Sequence, residues 1–166
     1  MRIFTLGTDH RPEYEFTRIL TKHGIQVVFD VRRMPESREP HFRRDRLQTL
    51  CTDRRIDYIF LGNELGGPRD GDYRAWVKSE EFRRWTGIIR RKLEKRVCCI
   101  LCAELDPERC HRRNIGDELA RQGVEVVHLL DENRIWQPPA RPVRPDPRPT
   151  RGRGPRQRPG RRARRR

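Results

Sequence analysis

Eleven residues, Cys102-Ala103-Glu104-Leu105-Asp106-Pro107-Glu108-Arg109-Cys110-His111-Arg112, hold thiol, carboxylate, imidazole and guanidinium groups together. A thiol becomes a nucleophile when a cation or a helix N-terminus stabilises its thiolate, and an imidazole or carboxylate beside it can move protons. Cys102, Glu104 and His111 are therefore the candidate catalytic residues, with Arg112 as the partner for an anion. A second set, Asp30-Val31-Arg32-Arg33-Met34-Pro35-Glu36-Ser37-Arg38, follows an apolar run. Arg32, Ser37 and Arg38 in a proline-stiffened loop suit phosphate, sulfate or carboxylate, with Asp30 completing the set. The other reading of Asp30 and Arg32 is an ion pair that fixes the loop. A third stretch, Leu61-Gly62-Asn63-Glu64-Leu65-Gly66-Gly67-Pro68-Arg69, offers Gly66 and Gly67 for close backbone approach to a ligand or for a turn. Beyond it, Tyr73 can wall a planar ligand, while Trp76 reads as core.

Zinc would want Cys99, Cys102, Cys110 and His111 together, but side chains three apart on a strand point to opposite faces. No metal and no other cofactor is expected. In a helix that begins at Asp106-Pro107, at ~100° per residue, His111 falls about 40° to one side of Ile115 and Arg112 about 60° to the other. The same arithmetic turns Cys110 about 140° away.

These groups need elements to carry them. Apolar runs of strand length at residues 3–6, 26–31, 58–61, 97–102 and 125–130 alternate with helical segments. Such alternation is the mark of a mainly parallel sheet with helices on both faces. Pro12 opens the first helix and Gly24 closes it; residues 43–54 make the second, with Leu47 and Leu50 inward. Ser79 caps the third, whose apolar stripe is Phe82, Trp85, Ile88, Ile89 and Leu93; the fourth runs from Asp106-Pro107 to Gly123. The expectation is an α/β fold of three layers, with a mainly parallel sheet of about five strands. The loops after the strands would line its carboxyl edge, where ligands bind.

Composition sharpens the boundaries. The chain has 166 residues and a net charge of +15, but the last 30 residues hold twelve arginines, eight prolines and one acid. That segment, residues 137–166, carries +11 and reads as a disordered basic tail. The first 136 residues carry +4 and are about 38% apolar, enough for one α/β domain. No stretch is apolar enough to span a membrane, and the start is too short for a secretory signal. Five cysteines, an odd number with two adjacent in an apolar run, fit buried thiols in the cytoplasm.

Thr5-Leu6-Gly7-Thr8, Asp30-Val31-Arg32 with Pro35, Ser37, Arg38 and Phe42, Leu65-Gly66-Gly67, and above all Cys102-Ala103-Glu104 with Pro107 and Cys110-His111-Arg112 resemble the family named domain of unknown function 488. The resemblance spans residue 1 to about 130 and implies a three-layer α/β domain with these motifs as its site. It implies no particular activity. A looser similarity to rhodanese-like domains concerns architecture, since the compact cysteine loop of that family is missing.

The preferred reading is a small enzyme or ligand-binding domain for an anionic small molecule, a nucleotide or another phosphorylated compound. Two others compete with it. The tail could supply salt-dependent, non-specific affinity for RNA or DNA. Alternatively, Asp30, Arg32, His111 and Arg112 form an internal ion-pair network.

Overall fold

The computed structural model describes residues 1–67 and 73–137. The basic segment assigned to nucleic-acid binding falls, from residue 138 on, outside the described residues, as do residues 68–72 of the glycine loop.

The first strand, β1 (Arg2–Gly7), leads to α1 (Glu13–Lys22), and β2 (Val27–Asp30) follows after the turn at Gly24. A 3-10 turn at Pro40–Phe42 then enters α2 (Arg44–Thr52), which returns the chain to β3 (Asp57–Phe60). Three helices come next: α3 (Gly62–Leu65), α4 (Tyr73–Val77) and α5 (Glu80–Leu93). After them come β4 (Cys98–Cys102), α6 (Arg112–Arg121), β5 (Glu125–Leu129) and the short β6 (Ile135–Trp136).

The local chemistry behind these elements is direct. The Ser79 hydroxyl accepts the Phe82 amide at 3.1 Å and caps α5, with Glu80 and Glu81 in the first turn and Arg90, Arg91 and Lys92 in the last. Gly24 and Gly123, at φ +60° and +82°, take the left-handed conformation that ends α1 and α6.

The sheet order is β3-β2-β4-β1-β5-β6, parallel except for the β5–β6 pair. The chain moves towards the β3 edge after β1 and β2, and back towards β5 after β3 and β4. Right-handed crossovers in opposite directions put their helices on opposite faces. The core divides accordingly. Phe16, Ile19 and Leu20 of α1 and Leu47 and Leu50 of α2 pack on one face with Val28, Cys99 and Leu101. Phe82, Ile89 and Leu93 of α5 and Ile115 and Leu119 of α6 pack on the other with Phe29, Ile100 and Cys102.

Five strands agree with the sequence expectation within a residue or two, and β6 is additional. Two antiparallel residues carry no periodicity, and Trp136 is held instead by ring contact with His128, centroids 5.0 Å apart. The expected fourth helix is split: Pro107–Arg109 form a 3-10 turn, Cys110 is extended at φ −118°, ψ 142°, and α6 starts only at Arg112. Among the described residues no helix is long and apolar enough to cross a membrane.

His128 of β5 is 1% exposed, and its Nδ1 hydrogen-bonds to the Thr5 hydroxyl at 2.6 Å. Burial, followed by the charges of Arg112 and Arg113, pushes its pKa down to about 4. Between the ordinary value near ~6.5 and that lower one, the unfolded chain binds a proton that the folded chain refuses. Stability is thus full above the upper value and falls as pH drops through the window. Urea unfolding at pH 7 and pH 4 should show wild type losing on the order of 3 kcal/mol more than His128→Leu. Equal losses in the two proteins would show that His128 is not held neutral.

Candidate functional site

The strand β4 lies between β2 and β1, whose onward connections both run the opposite way from its own. Its carboxyl end therefore borders two crevices of the kind in which open α/β sheets bind ligands. Cys102 is the last residue of β4, aligned with Gly7 of β1. Gly7 is required there. A Cβ on it would lie 2.1 Å from the Glu104 carbonyl oxygen, so the loop after β4 crosses directly over the end of β1.

That loop carries the site. The Cys102 and Cys110 Sγ atoms are 2.9 Å apart, and His111 Nδ1 lies 3.5 Å from Cys102 Sγ. Together the three residues bring their ligand atoms within 4.8 Å of one another. Helical spacing had turned Cys110 away, and that expectation fails for a simple reason: Cys110 precedes the helix. In its extended conformation it directs the thiol inward, leaving only 6% of the residue exposed.

The two sulfurs are unlike. Cys110 is the one that the Arg112 backbone amide also approaches, so the shared proton belongs on Cys102. The hydrogen bond with Cys102 holds the Cys110 thiol well below the usual range against the opposing effect of burial; the Arg112 charge and backbone amide add to it. Cys102 shifts the other way, raised by its bond to Cys110, by burial and by that sulfur's charge. The remaining thiols are ordinary core groups: burial pushes Cys51 up to about 12 and Cys98 up to about 11. Cys99 packs on the opposite face of the sheet from Cys102, as its strand spacing required.

His111 Nε2 is 3.0 Å from the Val31 carbonyl oxygen. A carbonyl only accepts, so in the neutral ring the proton sits on Nε2 and Nδ1 keeps the free lone pair, with Cys102 Sγ 3.5 Å from Nδ1 and 3.8 Å from Nε2. Around the ring stand Gly67, where a Cβ would meet His111 at 3.3 Å, and Tyr73, in edge contact at 5.8 Å between centroids. Tyr73 also donates its hydroxyl to the Leu65 carbonyl at 2.9 Å. Gly66 sits one residue further back, its amide 3.1 Å from the Gly62 carbonyl oxygen. The glycine loop and the cysteine loop thus meet at the His111 ring.

The arginines divide by occupation. Arg32 is 5% exposed; it pairs with Asp30 at 2.9 and 2.7 Å and donates to the Phe42 carbonyl at 2.8 Å. Asp30, with no exposed surface, also accepts the Tyr58 hydroxyl at 2.7 Å. This part of the site is the ion pair that the sequence offered as an alternative to ligand binding. Ser37 accepts the Glu39 amide at 3.2 Å, while Arg38 and Glu104 stand exposed in their loops. Arg112 is fully buried, donating to the Glu104 carbonyl and, at 2.8 Å, to that of Leu105. Among the described residues Arg112 makes no ion pair, and its Nε has no hydrogen-bond partner.

Sequence reasoning missed Tyr58, whose place beside Asp30 follows from the β2–β3 register and not from any motif. Cys110 had the opposite history, singled out by its motif and then misplaced by assuming an uninterrupted helix.

The family described as domain of unknown function DUF488 has a sequence model that matches residues 14–119. That span runs from α1 through most of α6 and includes every loop that builds the site except the one after β1. No curated protein and no solved structure matches the chain.

Replacing Asp30 by Asn leaves the Arg32 charge buried without its partner. Urea denaturation should show a loss of about 3–5 kcal/mol, part of it recovered when Arg32→Met is added. A loss under about 1 kcal/mol would mean that the pair is not structural.

Proposed function

Because this chain belongs to the DUF488 family, whose description carries no activity, we propose its function from the site: a small enzyme or ligand-binding domain that takes an anionic small molecule beside Cys102, Cys110 and His111. The ligand class is a nucleotide or another phosphorylated compound. One observation carries the reading. A fully buried arginine without a carboxylate partner among the described residues lies next to two thiols and an imidazole, at the carboxyl end of the strand where the crossovers diverge. A cation so placed keeps its field in the low-dielectric interior, and an anion brought to that edge is the group that it stabilises.

Each residue then has a task. Arg112 supplies fixed positive charge, and Arg38, on the exposed loop after β2, supplies a second donor. Tyr73 and Gly67 bound the space over the His111 ring. His111 and Glu104 are the groups able to carry a proton, and Cys110 is the sulfur held towards its thiolate form. Arg32 contributes by keeping the β2 loop in place, not by touching the ligand. Five unlinked buried cysteines, two of them 2.9 Å apart, suit a reducing cytoplasm.

Thermal unfolding of the full chain against a panel of nucleotides and phosphorylated metabolites tests the reading. At a hundredfold excess over Kd, a true ligand adds about 2.7 kcal/mol, a rise of several degrees in Tm. The rise should shrink in Arg38→Ala and in His111→Asn. If no anion raises Tm, or both variants respond like wild type, the reading is wrong.

A further inference from the structure

We propose that Cys102, Cys110 and His111 together bind one divalent metal ion of the zinc type, leaving a fourth coordination position for water or ligand. The donor set is the first argument: two thiolates and one imidazole are the ligands that zinc takes in catalytic centres that keep an open position. Geometry is the second. With Zn–S near ~2.3 Å and Zn–N near ~2.0 Å, tetrahedral bonding places sulfur and nitrogen about 3.6 Å apart and the two sulfurs about 3.8 Å apart. Cys102 Sγ and His111 Nδ1 are already 3.5 Å apart, and the sulfurs need only separate from 2.9 Å. Cys110 can make that adjustment because it belongs to the extended residue before α6 and not to the helix.

The third argument is the ring's other nitrogen. Metal-bound histidines donate their remaining N–H to a carbonyl or carboxylate, which fixes the tautomer and aims the lone pair. His111 Nε2 has that partner in the Val31 carbonyl at 3.0 Å, and Nδ1, the nitrogen left free to coordinate, is 3.5 Å from Cys102 Sγ, so a turn of the ring within its pocket would bring its lone pair onto the metal. The partner comes from β2 and the thiols from β4 and its loop, so the site is assembled by the sheet itself. Cys99 takes no part, since it lies on the other face. Binding releases to solvent the proton that the two sulfurs share and leaves both as thiolates, so the centre formed by the metal and two sulfurs is electrically neutral. The proposal does not require the anion reading, and its test has a separate readout.

Cobalt(II) serves as the spectroscopic probe. The full chain, reduced and stripped with a chelator, is titrated with cobalt under anaerobic conditions. Expected are saturation at one equivalent, thiolate-to-cobalt charge-transfer absorption in the near ultraviolet and intense tetrahedral bands in the visible, all bleached by one equivalent of zinc. Cys102→Ser and Cys110→Ser should each weaken cobalt binding by a hundredfold or so, His111→Ala should alter the visible bands, and Cys99→Ser should change nothing. The wild-type titration decides the matter even if a variant fails to fold. Cobalt uptake without thiolate charge transfer, or no saturable uptake by fully reduced protein, overturns the proposal. So does a Cys110→Ser spectrum identical to wild type. An anion-dependent Tm shift that survives chelation would leave the anion reading standing and remove the metal from it.

Discussion

A guanidinium with no exposed surface must be satisfied by its neighbours, and the loop after β4 is built around satisfying Arg112. Its donors hold the carbonyls of Glu104 and Leu105, which fixes the chain where it crosses the end of β1. Removing an ion from water costs several kcal/mol, so two carbonyl contacts from one loop are not a casual arrangement. The same charge lies close enough to Cys99, Cys102 and Cys110 to favour their thiolates, and to His128 to disfavour its proton. One buried side chain thus links the shape of the loop to the ionisation of the site.

Topology brings the neighbouring loops to the one that carries the cysteines. Across this sheet the connections alternate in direction, those after β1 and β2 running towards the β3 edge and those after β3 and β4 towards β5. At β4 the direction reverses on both sides, so its carboxyl end stays accessible to the loops of β1, β2 and β3. Each sends something. From β1 comes a glycine that lets the cysteine loop pass; from β2, the Val31 carbonyl that orients His111; from the segment after β3, Gly67 and Tyr73. Residues 14–119, matched by the family, contain the last two contributions and the cysteine loop itself.

The elements were legible because buried parallel strands are short apolar runs and the helices between them carry their own stop signals, as at Gly24 and Gly123. Strand order was not legible, since periodicity says which face is buried and nothing about which strand lies alongside. For the site, the motifs placed the right loops at the right edge. They could not say whether Arg32 meets a ligand or Asp30, because both uses require the same residue types at the same spacing; only the 5% exposure of Arg32 decides. Cys110 failed differently. Asp106-Pro107 is a sound start signal, but it began a 3-10 turn with its own cap, the Asp106 carboxylate on the Glu108 amide at 2.9 Å. A single break in the helix changed which sulfur faces Cys102.

Charge ties the two proposals together. Asp30 cancels Arg32, Glu15 pairs with Arg11 and Arg121 pairs with Glu118, so among the buried charged residues Arg112 alone lacks an opposite charge within the described structure. A thiolate at Cys110 would supply that charge. Once two thiolates are neutralised by a divalent ion, however, the positive charge of Arg112 is again uncompensated. An anion at the fourth position would then restore balance, and the exposed donors of the surrounding loops would suit it. On these charges a metal and an anion would not be rival occupants of one pocket, because binding of the first would create the electrostatic demand for the second.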